Sequence, residues 1–127
     1  GTDSYVSSIT VSTLGTIQVS IRIEHDDPFL TLKDIKGAQE ALSIILVNEN
    51  RYRTTIAAAL LERVRQIGSG GAEIGIETFL SRMKLEAVSF FADDTALWYA
   101  DGGLFGGQTI YATVDSTWKL REIDVVR

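Results

Sequence analysis

From Leu85 to the C-terminal end the hydrophobic pattern has a period of two, and one glycine-rich interruption breaks it: Asp101-Gly102-Gly103-Leu104-Phe105-Gly106-Gly107-Gln108. This tail limits the fold most. Strand candidates run over Leu85 to Phe91, Ala96 to Ala100, Thr109 to Val114 and Trp118 to Val126, with turns at Asp93-Asp94 and Asp115-Ser116-Thr117. Connections this short join antiparallel neighbours, so the tail is expected to be a four-stranded meander. In the last strand Trp118 and Leu120 share one parity, while Ile123 and Val125 share the other. A regular strand cannot switch parity, which predicts a bulge near Arg121-Glu122.

Upstream the pattern differs. Residues 4–12 are rich in Val, Ile, Thr, Tyr and Ser, and Ile17, Val19, Ile21 and Ile23 alternate with polar residues. These two segments, joined through Leu14-Gly15, are expected to form a hairpin. The second strand should stop before Pro28, which cannot donate to a ladder. Thr31 is a candidate helix cap, and Leu32, Ile35, Ala38, Leu42, Ile45 and Leu46 then recur at helical spacing. Gly37 is taken to mark close packing on the sheet. Asn48-Glu49-Asn50 reads as a break or kink, after which Ile56, Leu60, Val64 and Ile67 resume the helical spacing up to Gly68. Ile76, Phe79, Leu80 and Met83 suggest a short third helix. The expected fold is α+β over residues 1–127 as one domain. It has an N-terminal β-hairpin, two to three central helices packed on one face, and the C-terminal antiparallel meander.

The chain has no cysteine, which removes disulfides, thiol catalysis and thiolate metal sites. Its net charge of -5 argues against a nucleic-acid partner, which needs a basic face. No apolar run approaches the roughly 20 residues of a membrane helix. Gly1-Thr2-Asp3-Ser4 has neither the basic nor the apolar part of a signal peptide, so a cytoplasmic protein is expected, with an upstream segment left open. The one histidine, His25, lies among Glu24, Asp26 and Asp27 with no second ligand group to complete a metal shell. A polar strand end accounts for it, and no metal, cofactor or catalytic residue is expected. Asp93, Asp94 and Asp101 flank the strand with Trp98 and Tyr99, but aspartates serve hairpin turns in any case.

The glycine loop has strand-like flanks, and Lys and Arg are absent from Asp93 to Trp118. Phosphate loops lead into a helix, so a bend is expected here and not an anion site. Leu104 and Phe105 are expected to plug the core, with presentation to a partner as the alternative. Trp98, Tyr99, Tyr111 and Trp118 fall on neighbouring strands, as core or as an aromatic surface.

Residues Tyr99 to Val126 resemble a family of small bacterial domains that carry Asp-Gly-x-Leu-Phe-x-Gly-His-x-Ile near the C-terminus, then a turn and a final strand. Here the motif reads Asp101 to Ile110, with Gln108 in the place of the usual His and Gly103 where an acidic residue is common. Those two departures remove the motif's most reactive side chains. The resemblance implies an immunity-type binding protein that blocks a basic, toxin-like partner. The expectation is therefore a non-enzymatic cytoplasmic binding domain, with Trp98, Tyr99, Asp101, Leu104, Phe105, Gln108 and Tyr111 as binding residues. The alternative is a small-molecule or enzymatic cleft between sheet and helices, lined by Trp98, Tyr99, Tyr111 and Asp101. A homodimer through a sheet edge or face is a third possibility.

Overall fold

Eight elements follow one another: β1 (Asp3–Val11), β2 (Gly15–Ile23), α1 (Pro28–Arg65), α2 (Ile76–Arg82), β3 (Lys84–Phe90), β4 (Thr95–Ala100), β5 (Thr109–Val114) and β6 (Leu120–Val126). The computed structural model describes residues 3–11, 15–23, 27–66, 74–91 and 94–126, with backbone alone at 3–11, 23 and 28–31. His25, Glu24, Asp26 and Asp93 lie outside the described residues, as do Leu14, Ile67 and Gly68.

The fold is α+β. All six strands share one sheet, and their order in space is their order in the chain. β1 and β2 pair antiparallel, as do β3 to β6 in succession. The sheet as a whole is mixed, because β2 and β3 run parallel, with Gln18 opposite Ala87 and Ile21 opposite Phe90. A parallel pair needs a long crossover, and α1 and α2 supply it.

The helices number two because α1 does not break. It is 38 residues long, about 57 Å at 1.5 Å per residue. The polar run Asn48-Glu49-Asn50 is absorbed into it: Asn48 Nδ2 donates to the Ile44 carbonyl at 2.8 Å, and Glu49 pairs with Arg53 one turn on. α1 also starts earlier than expected. Pro28 takes the first helical position, which proline suits, so Thr31 lies within the first turn and does not cap it. Its buried stripe is Ala38, Ile45, Tyr52, Ile56, Leu60 and Val64, at spacings of seven and four. Leu32, expected in that stripe, is 66% exposed. Gly37 is not a packing contact either, since a Cβ there would meet nothing within 4 Å.

Ile17, Val19, Leu85, Val88, Phe90, Leu97, Tyr99, Ile110, Ala112 and Val114 meet this stripe from the sheet. Two bulges keep them in phase. Glu86 is the extra residue between the pairs Leu85–Tyr99 and Ala87–Trp98, so Leu85 and Val88 both point inward. Arg121 is the extra residue between Val114–Leu120 and Thr113–Glu122, where the parity switch places it. α2 buries Phe79 completely and ends at Met83, which leads directly into β3.

Candidate functional site

The glycine loop between β4 and β5 is built around one carboxylate. Asp101 is only 2% exposed, yet both of its oxygens accept hydrogen bonds from backbone N–H groups. Gly103 N–H donates to Oδ1 at 2.8 Å; Phe105, Gly107 and Gln108 N–H donate to Oδ2 at 2.8, 3.1 and 3.0 Å. Positive φ at Gly102, Gly103, Gly106 and Gly107 lets the backbone curl its amides inward. Burial alone would raise the Asp101 carboxyl, but the four N–H bonds outweigh it and hold the group below the usual carboxylate range. The loop is therefore an anion nest whose anion is its own first residue. Leu104 and Phe105 are both buried; Phe105 meets Phe79 edge-on, with ring centres 6.3 Å apart, and the Arg63 guanidinium lies 5.9 Å from its centre. Gln108 is half-buried and serves the nest through its N–H.

A second polar cluster lies inside the core. Glu49 (5% exposed) accepts from Arg53 Nε at 2.9 Å and from the Tyr99 hydroxyl at 3.2 Å. Arg53 also donates to the carbonyls of Leu80 and Met83, which closes the C-terminal end of α2, and lies over the Tyr99 ring. A cation there complements the helix dipole as well as the orphan carbonyls. Burial, and then the Glu49 charge, push the Tyr99 hydroxyl far up, so it stays protonated and donates. The cluster is a buried fastener between α1, α2 and β4. Part of it is legible in the sequence: Glu49 sits four residues after Ile45 and three before Tyr52, within the apolar stripe.

Trp98 and Tyr111 face the other way. Opposite residues in the β4–β5 register, they stack at 4.5 Å with rings tilted by 49°. Strand alternation puts them on the sheet side away from α1, and both are half-buried. Trp98 Nε1 donates to Ser89 Oγ at 3.2 Å, and Ser20 Oγ donates to the same oxygen at 2.8 Å. Ala87 and Ala100, both half-buried, flank the pair on the same side, and Ala96 on β4 is fully buried. Burial raises the Tyr111 hydroxyl, and the charges of Glu122 and Asp94 raise it further. Asp124 stands opposite Tyr111 on β6.

The four residues expected to line one cleft are thus not brought together. Trp98 and Tyr111 share the outer face; Tyr99 is in the core with its hydroxyl taken, and Asp101 is inside its loop. Two other clefts flank Trp118, in the β5–β6 turn, one of about 250 Å³ and one of about 460 Å³. That turn is tied by Asp115, whose Oδ1 accepts from Thr117 N–H and Oγ1 and from Lys119 N–H. Trp118 is held at φ 66°, and its carbonyl accepts from the Tyr52 hydroxyl at 2.9 Å. Among the described residues no group of three or more His, Asp or Glu could hold a metal ion, and no helix is long and apolar enough to cross a membrane. No protein-family model, no curated protein and no solved structure matches the chain.

Proposed function

We propose that this protein is a non-enzymatic binding domain that docks a basic protein partner on the outer face of its sheet. The Trp98–Tyr111 stack carries the proposal. It is a half-buried aromatic pair on the sheet side away from α1, flanked by the half-buried Ala87 and Ala100. Trp and Tyr are the residues that most often dominate binding energy at interfaces. Glu122 beside the stack, with a net charge of -5 on the chain, favours a positively charged partner. An immunity-type role, in which the partner is a toxin held inactive in the cytoplasm, is the specific form suggested by the likeness at Asp101 to Ile110. The alternative of a catalytic cleft has less support, because Tyr99 and Asp101 already use their polar atoms within the fold.

Affinity capture from cells of the native host tests this, with wild-type protein beside Trp98→Ala and Tyr111→Ala. A basic protein should be retained by the wild type, released by salt, and bound at least 30-fold more weakly by Trp98→Ala, as for an interface hot spot of about 2 kcal/mol. Recovery of no protein, with a small molecule co-purifying instead, would remove the proposal.

A further inference from the structure

The smaller cleft opens at the end of the sheet, between Phe90, Phe91, Asp94 and Thr95, the β5–β6 turn and the N-terminal half of α1. The helix presents only Gly37, Ala38 and Ala41 there, and these small residues leave the space open. The opposite walls are mixed: Phe90, Phe91 and Trp118 stand beside polar residues. Asp94 and Asp115 bring two carboxylates, and no Lys or Arg lines the cleft. Asp115 is partly engaged: its Oδ1 ties the turn, and Arg121 approaches its Oδ2 at 3.6 Å from an exposed position where such pairs are weak. The Asp94 carboxylate has no partner among the described residues.

Thr95 supplies a separate observation. Its alternation along β4 matches Leu97 and Tyr99, so its side chain lies on the helix side, and it is 7% exposed in the wall of the cleft. Its hydroxyl makes no hydrogen bond with any described residue. A buried hydroxyl that no described residue satisfies is costly to leave unpaired, and its place in the cleft wall makes it available to a ligand's polar atom. Trp118 and the half-exposed Phe91 add two aromatic rings. Carboxylates, aromatic faces and a hydroxyl acceptor together recognise an organic cation. At about 250 Å³ the space is below the range for drug-sized ligands and suits a head group on a thin stem.

We propose that this cleft is a binding site for an alkylguanidinium or alkylammonium group, with Asp94 as its ion-pair partner, Thr95 as its buried hydrogen-bond acceptor and Trp118 as its aromatic wall. The site is separate from the Trp98–Tyr111 face and does not depend on the docking role. The same chemistry occurs in a free diamine or agmatine and in an arginine or lysine side chain of a protein.

Titration of the whole chain by two-dimensional NMR tests the site, with agmatine in one arm and an end-blocked Gly-Arg-Gly peptide in the other. Saturable shifts are expected at the Trp118 indole and at the Thr95 and Ser116 amides, in at least one arm, with Kd on the order of 1 mM for so small a ligand. Binding to agmatine would identify a free cation as a ligand, and binding to the peptide alone a protein side chain. Asp94→Asn should weaken binding about tenfold and Thr95→Val several-fold, as loss of a charged and of a neutral hydrogen bond implies. Trp98→Ala should bind as the wild type does, which separates this site from the docking face. No saturation in either arm, or wild-type affinity in both Asp94→Asn and Thr95→Val, would overturn the proposal.

Discussion

At Asp101 two carboxylate oxygens satisfy four backbone N–H groups that nothing else in the loop reaches. Replacement by Asn keeps one acceptor oxygen and turns an NH2 toward donors, so Asp101→Asn should cost about 3 kcal/mol in chemical denaturation at pH 7. The folded-state pKa of Asp101 lies below its unfolded value. Its contribution is therefore present above about pH 4 and is lost as pH falls through the folded value. Between pH 7 and pH 3 the wild type should lose more stability than Asp101→Asn does. The glycines beside it are not equivalent. A Cβ on Gly102 would lie 2.5 Å from the Arg82 carbonyl oxygen at the end of α2, whereas one on Gly106 would meet nothing, although both have positive φ. Gly106→Ala should cost about 1 kcal/mol, from left-handed backbone alone. Gly102→Ala should cost about 3 kcal/mol, because the clash with backbone adds to that strain. Equal midpoints for the two variants would show that the loop does not seat on α2. The bend was readable in the sequence, since glycine pairs between strands indicate unusual dihedrals. The carboxylate at its centre was not, because an aspartate before a glycine pair looks the same whether it serves a surface turn or a buried nest.

The helices show what element-level pattern does and does not carry. A polar triplet usually interrupts a helix by offering the backbone other partners. In α1 it does not, because Glu49 has a cation one turn on and that cation closes a second helix. The Glu49–Arg53 spacing of four is visible in the sequence, but the reach of Arg53 to the α2 carbonyls is long-range, and periodicity cannot display that part. Glu49→Leu should cost about 3–5 kcal/mol, since Arg53 would remain buried without its carboxylate and the Tyr99 hydroxyl without its acceptor. Glu49→Leu combined with Arg53→Met should recover part of the loss, as buried ion pairs replaced by apolar pairs often do. If the double variant is no more stable than the single one, the α2 carbonyls depend on the guanidinium more than on the charge balance. Gly37→Ala tests the same helix from its open side: with nothing near the added methyl, it should gain about 1 kcal/mol through helix propensity. A loss would mean that a side chain at position 37 meets a neighbour.

Across the whole molecule, alternation located β2 well, and the C-terminal strands after it, because β2 to β6 each turn one face to the core. It could not say that β2 lies beside β3. Two helices intervene between them, and neither parity nor turn length identifies a neighbour at that separation. The same alternation divides adjacent residues of β4 between two environments, and this division is measurable. Leu97 is fully buried against the helix stripe, whereas Trp98 lies on the outer face against Tyr111 and Ser89. Leu97→Ala should cost about 2–5 kcal/mol through lost burial and the cavity left behind. Trp98→Ala removes the larger side chain but should cost only about 1–2 kcal/mol, from the aromatic stack, a partly exposed area and one hydrogen bond. A docking anchor needs this asymmetry, because a residue that binds a partner must be available without unfolding the sheet. If Trp98→Ala proves as destabilising as Leu97→Ala, the outer face is a second core under some cover, and the surface assigned to a partner belongs to the fold itself.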